Sequence, residues 1–175
     1  MKKFIITIFI VLLLIAGQVW AAGSVTQTIT EIAKDTYIVT FVCIGDASNG
    51  SIPNTATTDF DSAGNSLNGT IRGLRLKEVK AYPTSGGTAP DAASVFILDD
   101  DSLDLLGSED GSTTAWAGLN LIHATLPRSA VPNRYLPRAG QHQNYWPVVD
   151  GVLTLKVSDQ GTASADYTIE LKFGK

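Results

Sequence analysis

The sequence predicts an all-β fold: a single antiparallel β-sandwich of about seven to nine strands, preceded by an N-terminal signal peptide. Three observations predict it. First, Gly151 to Phe173 contains two strictly alternating runs. Leu153, Leu155 and Val157 alternate with Thr154, Lys156 and Ser158. Tyr167, Ile169, Leu171 and Phe173 alternate with Thr168, Glu170 and Lys172. A period of two puts apolar side chains on one face of a half-buried strand. Second, Thr36 to Ile44 (TYIVTFVCI) is dominated by β-branched and aromatic residues, which fit a pleated surface. Third, such runs are separated by clusters of Gly, Ser, Asn, Asp and Pro, the residues of turns.

The elements follow in order. Met1 to Ala21 carries Lys2 and Lys3, an apolar run from Phe4 to Ala16, and small residues at Val19 and Ala21 before a cleavage point. That is the layout of a secretory signal peptide, and the apolar run is shorter than the ~20 residues of a membrane span. Residues 22–175 then form one domain by length. Val25 to Ile32 is β-prone but polar, as suits an edge strand. After a turn at Ala33 to Asp35, Thr36 to Ile44 has bulky residues on both faces and belongs inside a sheet. Gly45 to Asn68 is long for a structureless loop, so it holds either a short strand around Thr55 to Phe60 or a working surface loop.

Thr70 to Tyr82 returns to strand character. Leu74 and Leu76 share a phase from which Val79 and Ala81 slip by one residue, which predicts a β-bulge near Lys77 and Glu78. Pro83 to Pro90 is a Gly-rich turn, and Ala93 to Leu98 a short strand that Leu103 to Leu106 continues after an acidic turn. Ser112 to Leu126 reads as a helix with Ser112 or Thr113 as N-cap, or as a strand from Ala117 to Thr125. The balance falls to an irregular segment with a helical turn. Pro127, Pro132, Pro137 and Pro147 then interrupt regular structure. The final pair of runs reads as an antiparallel hairpin turning at Asp159 to Ala165.

Composition narrows the function. Removing Lys2 and Lys3 from the 13 basic residues leaves 11 against 17 acidic ones, a formal charge of −6. An acidic chain without a Lys/Arg run argues against nucleic acid, which requires phosphate neutralisation. After signal cleavage nothing in the sequence calls for a membrane. Cys43 is the only cysteine, so no internal disulfide forms. It lies in phase with Tyr37, Val39 and Phe41, which makes it a small core residue.

Candidate sites are few. Asp59 and Asp61, with Gly64 at the sixth place, partly mimic a calcium loop, but Ala63 and Thr70 stand where ligands belong. Asp99, Asp100, Asp101 and Asp104 are dense enough for a cation, yet consecutive strand-end residues point to alternate sides, so a solvated turn is the simpler reading. His123 and His142 lack zinc-ligand spacing. No G-x-S-x-G elbow marks a nucleophile, so no catalytic residue and no cofactor is assigned. Trp116, Tyr135, Tyr145 and Trp146 cluster in the Pro-rich region with Arg128, Arg134 and Arg138 among them. Such aromatics cap an open end of a sandwich, anchor subunit contacts or stack on sugars. The arginines suit an acidic partner, including the acidic turn of a neighbouring copy.

VTFVCIGDASNGSI (Val39 to Ile52), GLRLKEVKAYP (Gly73 to Pro83), GGTAP (Gly86 to Pro90), FILDDDSLDLLG (Phe96 to Gly107) and GVLTLKVS (Gly151 to Ser158) together resemble a family of small β proteins of tailed-phage and prophage genomes. The stretches occur in family order across most of residues 22–175. This chain departs where Ser94-Val95 stands for a Tyr-Asp pair, where the turn before Leu103 lacks a Gly, and in a longer Ser108 to Pro147 segment. The resemblance implies a β-sandwich with a virion-structural or surface-accessory role, and transfers no catalytic residues. The expected function is therefore a non-catalytic structural or interaction protein, exported to the periplasm or outside, or virion-borne if phage-encoded. Its expected partners are itself or other structural proteins. The alternative is a surface module that binds glycans through exposed aromatics, and a third reading is an exported enzyme.

Overall fold

A computed structural model describes residues 22–57, 64, 66–102, 104–106, 119–122, 128–130 and 146–175. The expected signal peptide, Met1 to Ala21, lies outside these residues. The described residues form two antiparallel sheets. One has five strands in the order β1-β2-β9-β4-β7, the other four in the order β3-β8-β5-β6. The strands are β1 (Ser24–Ala33), β2 (Thr36–Ile44), β3 (Thr55–Ala56), β4 (Arg75–Pro83), β5 (Ala93–Leu98), β6 (Leu119–Ile122), β7 (Arg128–Ala130), β8 (Thr154–Ser158) and β9 (Asp166–Gly174). Among the described residues one short helix, α1 (Leu67–Ile71), precedes β4.

β1 and β2 form a hairpin closed at Lys34 and Asp35, the latter in the left-handed region at φ 56°. β1 is an edge and β2 is interior, as their polarity predicts. After β2 the chain crosses repeatedly between the sheets, so most pairing joins distant segments. β9 is the spine of the larger sheet, with Phe41 of β2 and Ala81 of β4 both in register with Ile169. Its inward residues Tyr167, Ile169, Leu171 and Phe173 are fully buried. They meet Val95, Ile97 and Leu155 of the smaller sheet, with Leu153 just before β8, in one core. Each such side chain contributes about 1.5–3 kcal/mol of transfer free energy.

The expected hairpin of the last two runs is corrected. β8 pairs with β3 and β5, whereas β9 pairs with β2 and β4, so the two lie in opposite sheets. Asp159 to Ala165 is an arch from one layer to the other. Both runs carry a dry face, and the arch sets those faces against each other across the core; a hairpin would lay them side by side and leave both to be covered by something else.

The predicted bulge is present. Register shifts between Leu76 and Glu78, which leaves Lys77 as the extra residue and lets both Leu76 and Val79 point inward. Four further expectations change. β4 starts at Arg75, not Thr70, because Ser66 caps α1 by accepting the Gly69 N–H at 3.3 Å and Leu67 and Ile71, one turn apart, are both fully buried. The segment after the acidic turn folds back on β5: Leu98 bridges Asp104, and the Leu105 N–H donates to the Ile97 carbonyl at 2.8 Å. Leu119–Ile122 is a strand, within the strand alternative and not the helical one. Arg128–Ala130 is a strand between Pro127 and Pro132, as an edge strand of this length tolerates flanking prolines. The short strand expected near Thr55 is present as β3.

Candidate functional site: an aromatic–basic patch at the β4 bulge

The segment Trp146 to Val149 runs antiparallel along the start of β4. The Leu76 N–H donates to the Pro147 carbonyl at 3.0 Å and the Val149 N–H to the Leu74 carbonyl at 2.9 Å. Pro147 has no N–H to donate in return to Leu76. Val149 is buried, while Trp146 and Val148 remain 43% and 45% exposed. The bulge turns Lys77 outward over this segment. Its Nζ stands 3.7 Å from the Trp146 ring centroid, and Arg75 Nη1 donates to the Trp146 carbonyl at 3.2 Å. Desolvation and the neighbouring Arg75 charge lower the Lys77 pKa. The result is an exposed indole held by a cation on its face, with a guanidinium beside it. Such a patch can stack on a flat ligand or a sugar and attract negative charge.

Of the residues singled out in the sequence, Trp146 is placed here. Trp116, Tyr135, Tyr145, Arg134 and Arg138 lie outside the described residues, as do His123 and His142. The partners that hold Trp146 were missed. Lys77 was visible only as a phase slip, and Arg75 carried no signal.

Asp99 and Asp101 share one turn. Asp99 Oδ1 accepts the Asp101 N–H at 3.0 Å, and Asp100 Oδ1 accepts the Val152 N–H at 2.7 Å, tying the turn to the start of β8. Asp104 is buried, and its Oδ1 accepts from Ile97 N at 3.0 Å and Leu106 N at 3.1 Å. Burial raises its pKa against the lowering effect of those two bonds. Asp59 and Asp61 lie outside the described residues. Among the described residues no cluster of three or more His, Cys, Asp or Glu side chains could hold a metal ion.

Loop aspartates elsewhere do similar work. Asp46 Oδ1 accepts from the Ser48 N–H at 2.7 Å, from the Ser48 hydroxyl and from the Asn49 N–H at 3.2 Å. The Ser48 bonds hold its pKa low. Asp91 accepts the Gly161 N–H on both oxygens, at 3.1 and 3.2 Å, pinning the arch. Cys43 is fully buried, as its phase predicts, and burial pushes its thiol up to about 12. Among the described residues no helix is long and apolar enough to cross a membrane. Compared with protein-family models, with curated proteins and with solved structures, the chain matches none.

Proposed function

We propose that this chain is a non-catalytic structural or interaction protein, working outside the cytoplasm or as a virion component, and assembling with copies of itself or with other structural proteins. One observation carries the reading. Asp46, Asp91, Asp99, Asp100 and Asp104 all spend carboxylate oxygens on backbone N–H groups of loops and turns. Carboxylates used this way hold a shape. The phage-type stretches from Val39 to Ser158 support the same reading, and the signal-like Met1 to Ala21 supports export. The test is fractionation of cells producing the full chain, with N-terminal sequencing of the product. Recovery outside the cytoplasm or in virions, lacking residues 1–21, is expected. An intact Met1 found only in the cytoplasm contradicts the export part of the reading.

A second reading has its own observation, the exposed Trp146 beside Lys77. A glycan array would detect a carbohydrate-binding module, and Trp146→Ala would abolish its signal. An array that stays blank, or binding indifferent to Trp146→Ala, removes this alternative.

A further inference from the structure

Among the described residues the four sheet edges are unequal. β3, β7 and β6 are edges of 2, 3 and 4 residues, whereas β1 is an edge of 10. Among the described residues β1 pairs only with β2. Short strands are one way proteins blunt an edge; prolines, lysines and bulges are others. From Ser24 to Thr30, β1 has no proline, no charge and no bulge; its irregularity comes only after Glu31.

The same stretch is a chemical palindrome. Ser24-Val25-Thr26-Gln27-Thr28-Ile29-Thr30 reads hydroxyl, aliphatic, Thr, Gln, Thr, aliphatic, hydroxyl in either direction. An antiparallel pair of such strands centred on Gln27 sets like against like. Val25 faces the second copy's Ile29, Thr26 its Thr28, and Ser24 its Thr30. Aliphatic pairs and Thr–Thr pairs are favourable neighbours across strands. Glu31 lies beyond the palindrome, so the two copies of it fall at opposite ends. A parallel pairing would bring them together.

Exposure on the flank agrees. Ile32, Val42 and Ile44, three of the five exposed large hydrophobics among the described residues, belong to β1 and β2. Val42 stands opposite Thr26, and Ile44 opposite Ser24, on the outer face. Val25 and Ile29 are only partly buried against the core, so a neighbouring strand would complete their cover.

We propose that β1 pairs antiparallel with β1 of a second copy about a two-fold axis at Gln27, joining two five-stranded sheets into one continuous sheet. The contact is isologous and consumes β1, the one long edge among the described residues, so assembly through it stops at the dimer. Pairing through β1 rests on the structural reading proposed above and gives it a contact surface.

The test uses protein purified from cells producing the full chain, measured by size-exclusion chromatography with light scattering across a range of concentrations. A dimer is expected. Thr26→Lys with Thr28→Lys places like charges opposite one another and should raise the dimer dissociation constant at least about tenfold. Thr26→Glu with Thr28→Glu should do the same. Mixing the two should restore a mixed dimer, because each Lys then faces a Glu. Circular dichroism and the thermal midpoint check that both folds persist; if the Lys pair does not fold, single Thr26→Lys and Thr26→Glu variants replace the pairs, and each should weaken the dimer alone. A monomeric wild type, a dimer indifferent to these charges, or a loss that mixing fails to repair when both pairs fold, overturns the pairing. A folded monomer that is still exported and still recovered with other structural proteins would overturn the pairing alone and leave the broader reading standing.

Discussion

Replacing Asp104 by alanine is expected to unfold the acidic corner that closes β5. Asp104 is 7% exposed, and its carboxylate serves two N–H groups, Ile97 at 3.0 Å and Leu106 at 3.1 Å. Alanine leaves both donors in a desolvated place without an acceptor, at a cost of about 2–4 kcal/mol in all. For a domain of this size that corresponds to a fall of roughly 5–15 °C in the thermal midpoint. Asparagine keeps an acceptor oxygen and should stay within about 1 kcal/mol of wild type. The pair separates the hydrogen bonds from the charge. Because burial raises the folded pKa of Asp104 above its unfolded value, the stability from its neutral form is complete below the unfolded pKa. That stability is lost as pH rises through the folded pKa. Asp104→Asn carries no such proton, so its stability relative to wild type should climb from acid towards neutral pH. Urea unfolding followed by circular dichroism at several pH values reads all three. An alanine variant as stable as wild type, or an Asn-minus-wild-type difference that falls with pH, refutes the reasoning.

Other outcomes follow from single contacts. Gly50 has φ +73°, and an added Cβ would lie 2.6 Å from the Thr162 carbonyl oxygen, whereas Gly73 has φ +81° with open space around it. Gly73→Ala should therefore cost about 1–2 kcal/mol of backbone strain, and Gly50→Ala clearly more; equal midpoints would count against the contact of the loop with the arch. A Cβ on Gly151 would clash with Asp100 Oδ2. Displacing that carboxylate breaks its bond from Val152, so Gly151→Ala and Asp100→Ala should be strongly non-additive in a double-mutant cycle, with the double variant little worse than Asp100→Ala. Strict additivity would contradict it. Cys43, fully buried with its thiol pushed up to about 12, should resist iodoacetamide in the native protein and react promptly in denaturant. Rapid native labelling would place it elsewhere.

Much of the strand pattern was legible because faces are written in the local period. Thr36 to Ile44, Ala93 to Leu98 and the last run appear as strands close to the expected positions. The bulge was legible too, since a slip in phase between Leu76 and Val79 has few other physical causes. Pairing partners were not. Alternation says which side of a strand is dry, and Leu153 to Val157 and Tyr167 to Phe173 alternate alike whether they sit in one sheet or two. The arch is decided by what each run meets: β3 and β5 on one side, β2 and β4 on the other. The helix Leu67–Ile71 is a single turn whose signal, Ser66 followed by Leu67 and Ile71, is too brief to stand out from a polar loop. At the candidate site Trp146 was visible as an aromatic among prolines. Its partners Lys77 and Arg75 come from a distant strand, and only the fold brings them together.

The arch is the feature on which the rest depends, since it fills the core from both layers and, among the described residues, leaves β1 as the long edge strand of the larger sheet. Cross-strand contacts between backbone protons, measured by nuclear Overhauser spectroscopy, test it directly. Contacts joining Phe41 to Ile169 and Ala81 to Ile169 are expected, with Ile97 joined to Leu155 in the other sheet. A ladder joining Leu155 to Ile169 and Val157 to Tyr167 would show a hairpin in place of the arch and contradict the account.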